Sequence, residues 1–404
     1  MKRFKNLVKY SLNCIQRYKV RTLVILISLG VAAAVFSSVA FLKDGLVEEG
    51  KLSLKYAPDI TVQGISSGRQ TFIDTSYVGL VQAAGVTAVA QRIWGYGNIG
   101  NSLVVIVGID LQNTTISQTK FVNYTYAFPL ESGKFLDPQS NNTVVIGKGV
   151  AELLGAEVGT LLTMYTESNL ALQYTVVGIF NSDSSIYNGD MILMNINAAR
   201  TFFNVPEGKV TDLLVYVSDI DPDLKAALVN YVARDISDWP NIRIVTKDVL
   251  LKAQETTYGD RSGFFSVVWY VLLISAAVIA FNQTVVVGHE SKFEVGLLKS
   301  LGFSTSDIIQ IRLVESLSLG AIAAAAGLTF GILYDSILGA PVLRDFMMGW
   351  ATLYPSFQVP VLISAQTVLF TFAVTIVPML FATVIPSWLN ATVDPDIAMR
   401  GARA

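Results

Sequence analysis

Four stretches of the chain are apolar over the length of a membrane: 22–42 (TLVILISLGVAAAVFSSVAFL), 263–288, roughly 313–334, and 361–386. The first, as a helix rising 1.5 Å per residue, is about 32 Å long and matches a hydrocarbon layer of about 30 Å. The third holds one charged side chain, Glu315, and the others hold none. The pattern predicts an α-helical membrane protein with four transmembrane helices, at 22–42, 263–288, 313–337 and 361–386. Residues 43–262 between the first two runs have ordinary globular polarity. Short β-branched stretches there predict strands at 102–109, 142–147, 173–180, 190–195 and 211–217. Helical spacing alternates with them at 77–84, 149–154, 198–203 and 223–235, the last after the Asp221-Pro222 start signal. The expectation is a large α+β domain inserted between the first and second helices. Its final helix, starting near Thr246 with Asp248 in the first turn, meets no proline before Phe264 and is expected to join span two as one rod, with Gly259 and Gly263 as its weak points.

Charge gives this layout an orientation. Lys2, Arg3, Lys5, Lys9, Arg17, Lys19 and Arg21 crowd the first 21 residues, so the positive-inside rule puts the N-terminus in the cytoplasm. The 289–312 loop, with Lys292, Lys299 and Arg312, and the tail 387–404, with Arg400 and Arg403, then fall inside. The 43–262 domain and the 338–360 loop, with Arg344 alone, fall outside. A cleaved signal peptide ending at the small Ser38 and Ala40 is the competing reading of the first run, against which its length argues. A hydrophobic content of 52%, against 15% charged, leaves far fewer charges than the soluble norm of about 25%. A net charge of −2 provides no basic field for nucleic acid. The single cysteine, Cys14, excludes an intrachain disulfide; it reads as a small buried residue, or as a palmitoylation site beside the membrane. Asn113, Asn123 and Asn141 each open an N-x-Ser/Thr triplet.

Candidate chemistry concentrates in HESKFEVGLLKSLGFSTSDI, residues 289–308, where His289, Glu290 and Glu294 suggest a metal or acid–base site. His289-Glu290 begins like the zinc helix H-E-x-x-H, but position 293 is Phe and the chain has no second histidine, which removes that site and any Ser-His-Asp triad. Gly-Lys-Gly at 147–149 lacks the spacing and the Ser/Thr of a nucleotide phosphate loop, so no cofactor is implied. A carboxylate pair in 43–262 stays open, without a spacing that favours one. Glu315, three residues past Arg312 and able to pair with it, is the only ionisable group read in the spans, which argues against a polar passage. Ala323, Gly327 and Gly331, four apart, form a small-residue face suited to close packing, within the chain or across a dimer.

Within 289–302, Phe293, Val295, Leu297, Leu298 and Leu301 alternate with Glu290, Lys292, Glu294 and Lys299 as in a short amphipathic helix. Gly302 suits its end and Ser304 or Ser306 can cap the next helix. EVGLLKSLGFSTSDI followed by Glu315 resembles the inner loop of the FtsX/MacB-type (type VII) permeases of ABC transporters. VRTLVILISLGVA, VVIGKGVAELLGAEVGTLLTM with YTVVGIF, and PSWLNATVDPDIAMR are similar to that family's first span, outer domain and tail. The resemblance implies a permease subunit, not itself catalytic, that pairs with itself or a close relative and binds two copies of a separate cytoplasmic ABC ATPase. His289, Glu290, Phe293, Glu294, Gly296, Leu297, Leu298, Lys299, Leu301 and Gly302 would form the coupling helix that contacts the ATPase. Glu315, Ala323, Gly327 and Gly331 are assigned to packing between spans. The N-terminal segment, with Phe4, Leu7, Val8, Leu12 and Ile15 on one face, would lie on the membrane surface. The alternative is an outer binding or sensor module on a membrane anchor, with no ATPase; a surface enzyme in 43–262 has no motif behind it.

Overall fold

The computed structural model describes residues 2–81, 85–100, 102–111, 127–166, 168–218, 221–258, 263–290, 292–347 and 360–392. They form two compact units, a helical one drawn from 1–46, 258–350 and 359–404, and a sheet unit drawn from 47–257 with 351–358.

The helices, in chain order, are α1 (Lys2–Arg17), α2 (Lys19–Leu54), α3 (Lys148–Leu154), α4 (Ser185–Asp190), α5 (Ile196–Phe202), α6 (Pro222–Ser237), α7 (Lys247–Tyr258), α8 (Gly263–Glu290), α9 (Lys292–Ser300), α10 (Thr305–Leu338), α11 (Pro341–Met347) and α12 (Ala365–Thr392). Among the described residues, Lys19–Leu54, Thr305–Leu338 and Ala365–Leu389 are long and apolar enough to cross a membrane, and Val267–Asn282 within α8 is a shorter apolar stretch.

Three of the four helices depart from the apolar runs that predicted them, while α8 follows its run from 263 to within two residues of the expected end at 288. The first continues to Leu54 instead of stopping at 42, because Lys43, Asp44, Glu48, Glu49 and Lys51 sustain a helix as well as an apolar run does and no proline appears before Pro58. The third starts at Thr305, eight residues before 313, because Ser304 and Asp307 close a capping box around its first turn. It runs to Leu338, and Asp335, inside the expected 313–337 span though beyond the apolar run read to 334, is 2% exposed and accepts a hydrogen bond from Ser38. Glu315 is therefore not the only buried acid on this helix. The fourth begins at Ala365 and extends through Pro378 and Pro386 to Thr392.

In the helical unit, α2 and α10 meet where both are small. A Cβ on Gly327 would stand 2.5 Å from the Ala33 Cβ and 2.6 Å from the Gly30 carbonyl oxygen, and one on Gly331 would meet Ser37. Glycine is what lets these backbones touch. Along α12, Thr367, Thr371, Thr375 and Thr383 are buried four or eight residues apart. Thr371, Thr375 and Thr383 donate to the carbonyl four residues back at 2.9, 2.8 and 2.6 Å, so hydroxyls enter the bundle already satisfied.

The strands are β1 (Ile60–Ser66), β2 (Arg69–Thr71), β3 (Ile73–Asp74), β4 (Val86–Ile99), β5 (Ser102–Ile109), β6 (Leu130–Gly133), β7 (Thr143–Gly147), β8 (Leu161–Tyr165), β9 (Ala171–Phe180), β10 (Met191–Asn195), β11 (Lys209–Val210), β12 (Asp212–Val217) and β13 (Ile242–Thr246). The main sheet runs β13-β1-β12-β4-β5-β10-β7-β9-β6, with β2 on β1 and β8 joining β4 and β9. It is antiparallel except for β5 with β10 and β7 with β9. Ile93, Ile106, Val144, Ile146, Ile192, Met194 and Val215 bury one face, and Val107, Ile109, Val145, Leu193 and Phe180 the other.

The five predicted strands are β5, β7, β9, β10 and β12. Sequence reasoning missed β1, β4, β8 and β13 and the short β2, β3, β6 and β11; the 14-residue β4 interrupts its apolar alternation with Arg92, Gly95 and Gly97. Arg92 is there for Asp212, a fully buried carboxylate that also accepts from Trp94 Nε1 at 2.7 Å, Gln63 at 3.0 Å and Gln70 at 3.1 Å. A carboxylate so fully engaged pins β1, β2 and β4 to its own strand, β12, and has no lone pair left over for a general base. The expected helix 77–84 is a 3-10 turn, Thr75–Leu80, capped by Asp74, and residues 82–84 lie outside the described residues. Thr246 ends a strand, with α7 beginning at Lys247. The join between α7 and α8, residues 259–262, lies outside the described residues, as do Asn113 and Asn123, while Asn141 is exposed.

Candidate functional site

The 289–308 segment folds as two helices around a hard turn. α9 covers Lys292–Ser300. Gly302, at φ 89°, receives the chain in the left-handed region. Phe303 N–H reaches the Leu298 carbonyl at 3.1 Å and Gly302 N–H the Lys299 carbonyl at 2.9 Å, which is a Schellman stop. Ser304 then accepts from Asp307 N–H at 3.2 Å while Asp307 accepts from Ser304 N–H at 3.0 Å. The turn between α9 and α10 is thus closed from both sides.

α9 divides into two faces. Val295, Gly296 and Leu298 are buried, Val295 on Ile308 and Leu298 among Leu7 and Ile311. Leu297 (46% exposed), Ser300, Leu301 (68%) and Gly302 face outward, and Lys299 is half-buried. The side chains of His289, Glu290 and Phe293 lie outside the described residues.

Glu294 turns inward. Its Oε1 accepts from Tyr10 Oη at 2.9 Å and lies 3.8 Å from Cys14 Sγ, and its Oε2 is 3.5 Å from Arg312 Nη2. Arg312 Nη1 donates to Glu315 Oε2 at 2.7 Å, and Glu315 Oε1 accepts from Arg21 Nη2 at 2.5 Å. Two carboxylates and two guanidiniums, all at most 15% exposed, therefore join the start of α2, α9 and α10 in one chain, to which Tyr10 ties α1. Opposite charges in equal number keep it neutral, a condition for burial in an apolar setting. The spacing of Arg312 and Glu315 showed one link; Arg21 and Glu294 are 294 and 18 residues from their partners and carry no local signal.

α1 closes the site. Leu7, Ser11 and Cys14, at 5%, 0% and 5% exposure, point into the protein, and Ser11 donates to the Ile311 carbonyl at 3.0 Å. On the face expected to meet the membrane, Leu7 packs on α9 and α10, while Leu12 stays exposed. Cys14 is buried, and burial, aided by the Glu294 carboxylate, pushes its thiol up to about 11. It is neither accessible nor ionised for acylation. Burial, then the bond to Glu294, also raises Tyr10. Ala323, Gly327 and Gly331 are buried together with Glu315, with Gly327 and Gly331 against α2 of the same chain. Among the described residues no group of three or more His, Cys, Asp or Glu side chains is placed to hold a metal.

The comparisons with known proteins agree in both units. The MacB-like periplasmic core domain model matches residues 22–247, and the FtsX-like permease C-terminal model matches 266–395. The lipoprotein-releasing system transmembrane protein LolC of Neisseria meningitidis is 26% identical over 282 residues, 64% of this chain and 63% of that protein. The uncharacterized ABC transporter permease MJ1507 of Methanocaldococcus jannaschii is 26% identical over 245 residues, 55% of this chain and 59% of that protein. The chain spans less than two thirds of the length of these relatives. Among solved structures, the periplasmic region of MacB from Actinobacillus actinomycetemcomitans aligns over 49% of this chain and 92% of its own length, at 15% identity and a TM-score of 0.34. With more than half its length in the first of these family matches and its C-terminal helices in the second, the chain belongs to the FtsX/MacB-type permease family, as a membrane protein with a large extracytoplasmic α+β domain.

Proposed function

We propose that this chain is the permease subunit of an ABC transporter, coupling ATP binding and hydrolysis in a separate cytoplasmic ATPase to movement of its extracytoplasmic domain. Four helices, α2, α8, α10 and α12, span the membrane with both termini in the cytoplasm. The subunit pairs with a second copy or a close relative, and the pair engages two ATPase copies. The observation that carries this reading is α9, a nine-residue helix between long apolar helices, pinned from inside through Glu294 and presenting Leu297 and Leu301 outward. Of the residues assigned to ATPase contact, Leu297, Leu301 and Gly302 have the exposure for it, and Glu294, Gly296 and Leu298 hold the helix in place. ATP-driven closure of the ATPase dimer pushes on α9, and the buried ion chain passes the push to α2 and α10, so work done inside the cell moves the domain outside it.

The test is co-purification in mild detergent of the full chain with the ABC ATPase from the same cells. Leu297→Asp and Leu301→Asp are expected to lose at least about tenfold in ATPase binding, since a buried carboxylate without a partner replaces an apolar contact. Both variants should elute as the parent does. ATPase retention and stimulation unchanged in both would overturn the assignment.

A further inference from the structure

The end of the helical unit formed by α1, α9 and the starts of α2 and α10 carries more positive charge than its buried ion chain uses. Residues 1–43 contain eight lysines and arginines and no aspartate or glutamate. The described carboxylates at this end are spent inside it, Glu294 and Glu315 on Arg312, Arg21 and Tyr10, and Asp307 on the Ser304 cap. Arg21 is thereby engaged. Lys9, Arg17 and Lys19 are exposed, and none of the three forms an ion pair with a described carboxylate. Arg17 lies over the Tyr18 ring, 5.7 Å from its centroid, a contact that leaves its charge without an acid.

The burial of α1 fixes which way these cations face. Leu7, Ser11 and Cys14 are turned onto α9 and α10, so Lys9, Leu12, Asn13, Gln16 and Arg17 are left on the outward side. α1 ends at Arg17 and α2 begins at Lys19, and on α2 Val20, Leu23, Val24 and Ile27 are exposed in their turn. The outer surface thus passes from unpaired cations to bare hydrocarbon between Lys19 and Ile27, about 12 Å of helix. A lipid monolayer has the matching profile, with phosphates above acyl chains. An acidic face of a soluble partner would meet the cations but leave the aliphatic side chains beside them uncovered. Lysine and arginine stems also run along apolar surface and deliver their charge at headgroup level.

We propose that the outward side of α1 and the start of α2 select anionic phospholipids, with Lys9, Arg17 and Lys19 on the headgroup phosphates and Val20 and Leu23 against the acyl chains. The proposal rests on the reading of α2 as a membrane span. It also gives lipid a hold on α9, because the opposite side of α1 packs Leu7 on Leu298 and ties Tyr10 to Glu294.

The test is native mass spectrometry of the full chain in detergent, with an equimolar mixture of phosphatidylglycerol and phosphatidylcholine of the same acyl chains. The parent is expected to prefer phosphatidylglycerol at least about fivefold. The preference should shrink as ammonium acetate rises from about 0.1 to 1 M, where the screening length falls from about 10 to 3 Å. Replacing Lys9, Arg17 and Lys19 together by Gln should abolish it, while Lys2, Arg3, Lys5 and Arg21 remain to keep the N-terminus inside. Lys9→Arg with Lys19→Arg should retain it. Arg69→Gln, Lys134→Gln and Lys209→Gln together, three exposed cations of the sheet domain, should behave as the parent. Thermal unfolding checks that each variant is folded, and phosphatidylglycerol should raise the melting temperature of the parent above its value in phosphatidylcholine, but not that of the Gln triple variant. Equal uptake of the two lipids by the parent would overturn the proposal and leave the permease reading standing. An undiminished preference in the Gln triple variant would also overturn it, and if that variant loses the ATPase instead, this face belongs to the ATPase. A chain that stays in solution without detergent would overturn the membrane reading itself.

Discussion

Glu315 accepts from Arg312 and Arg21 at once, and Arg312 in turn reaches Glu294. Taking one carboxylate out of this buried set leaves guanidinium charge without compensation, which costs about 3–5 kcal/mol. Glu315→Gln is therefore expected to lower the melting temperature of the detergent-solubilised chain clearly more than Glu131→Gln, whose partner Lys148 is exposed. Asp190, at the last position of α4, supplies a pH test in the sheet unit. Burial raises its carboxyl to about 6, against a partial offset from a backbone hydrogen bond. The folded state thus holds the proton more tightly than the unfolded chain, so stability falls as pH rises from about 4 through 6. Asp190→Asn should stabilise the protein by about 1 kcal/mol at pH 7.5, allowing for solvent screening, with the gain vanishing near pH 4. Thermal unfolding of parent and variant at the two pH values checks this.

At the scale of elements, the packing of α2 on α10 rests on backbone contact. Gly327→Ala would place its Cβ 2.5 Å from Ala33 Cβ, and two packed helices have no flexible side-chain end there to yield. A loss of about 1–3 kcal/mol is expected. Gly320→Ala on the same helix would find Ile376 Cγ1 at 3.3 Å and should cost little, because helix propensity favours alanine and the side chain can give. Comparing the melting temperatures of these two variants separates close packing from a general effect of substitution in α10. α9 shows the limit of reading elements from sequence. Its amphipathic spacing, its Gly302 stop and the Ser304 cap are local chemistry and were legible. Which of its faces meets the protein was not, because that depends on Leu7 and Ile311, far away in the chain.

At the scale of the whole molecule, the proposed topology places Ser300 inside the cell and Asn141 outside. In a Cys14→Ala background, a cysteine at Asn141 is expected to react with a membrane-impermeant maleimide in intact cells, and one at Ser300 only after permeabilisation. The reverse pattern would invert the topology, and reaction of both in intact cells would remove it. The two cysteine positions are exposed, so silence from either reports location and not burial.

Properties that depend on neighbours in sequence were open to reading from the chain alone. Apolar runs of membrane length, the bias of lysine and arginine, the strands β5, β7, β9, β10 and β12, the helix stop at Gly302 and the absence of a second histidine all belong here. They set the class of protein and excluded histidine-based chemistry. Tertiary structure decided what long-range pairing decides. It put Arg92 in the middle of β4 to meet a buried Asp212, turned the N-terminal helix inward onto α9 and α10, and buried Asp335 of α10 against Ser38. It also joined Arg21, Glu294, Arg312 and Glu315 into one neutral chain. A charge can be buried only beside its partner, and where that partner stands hundreds of residues away, folding alone brings the two together.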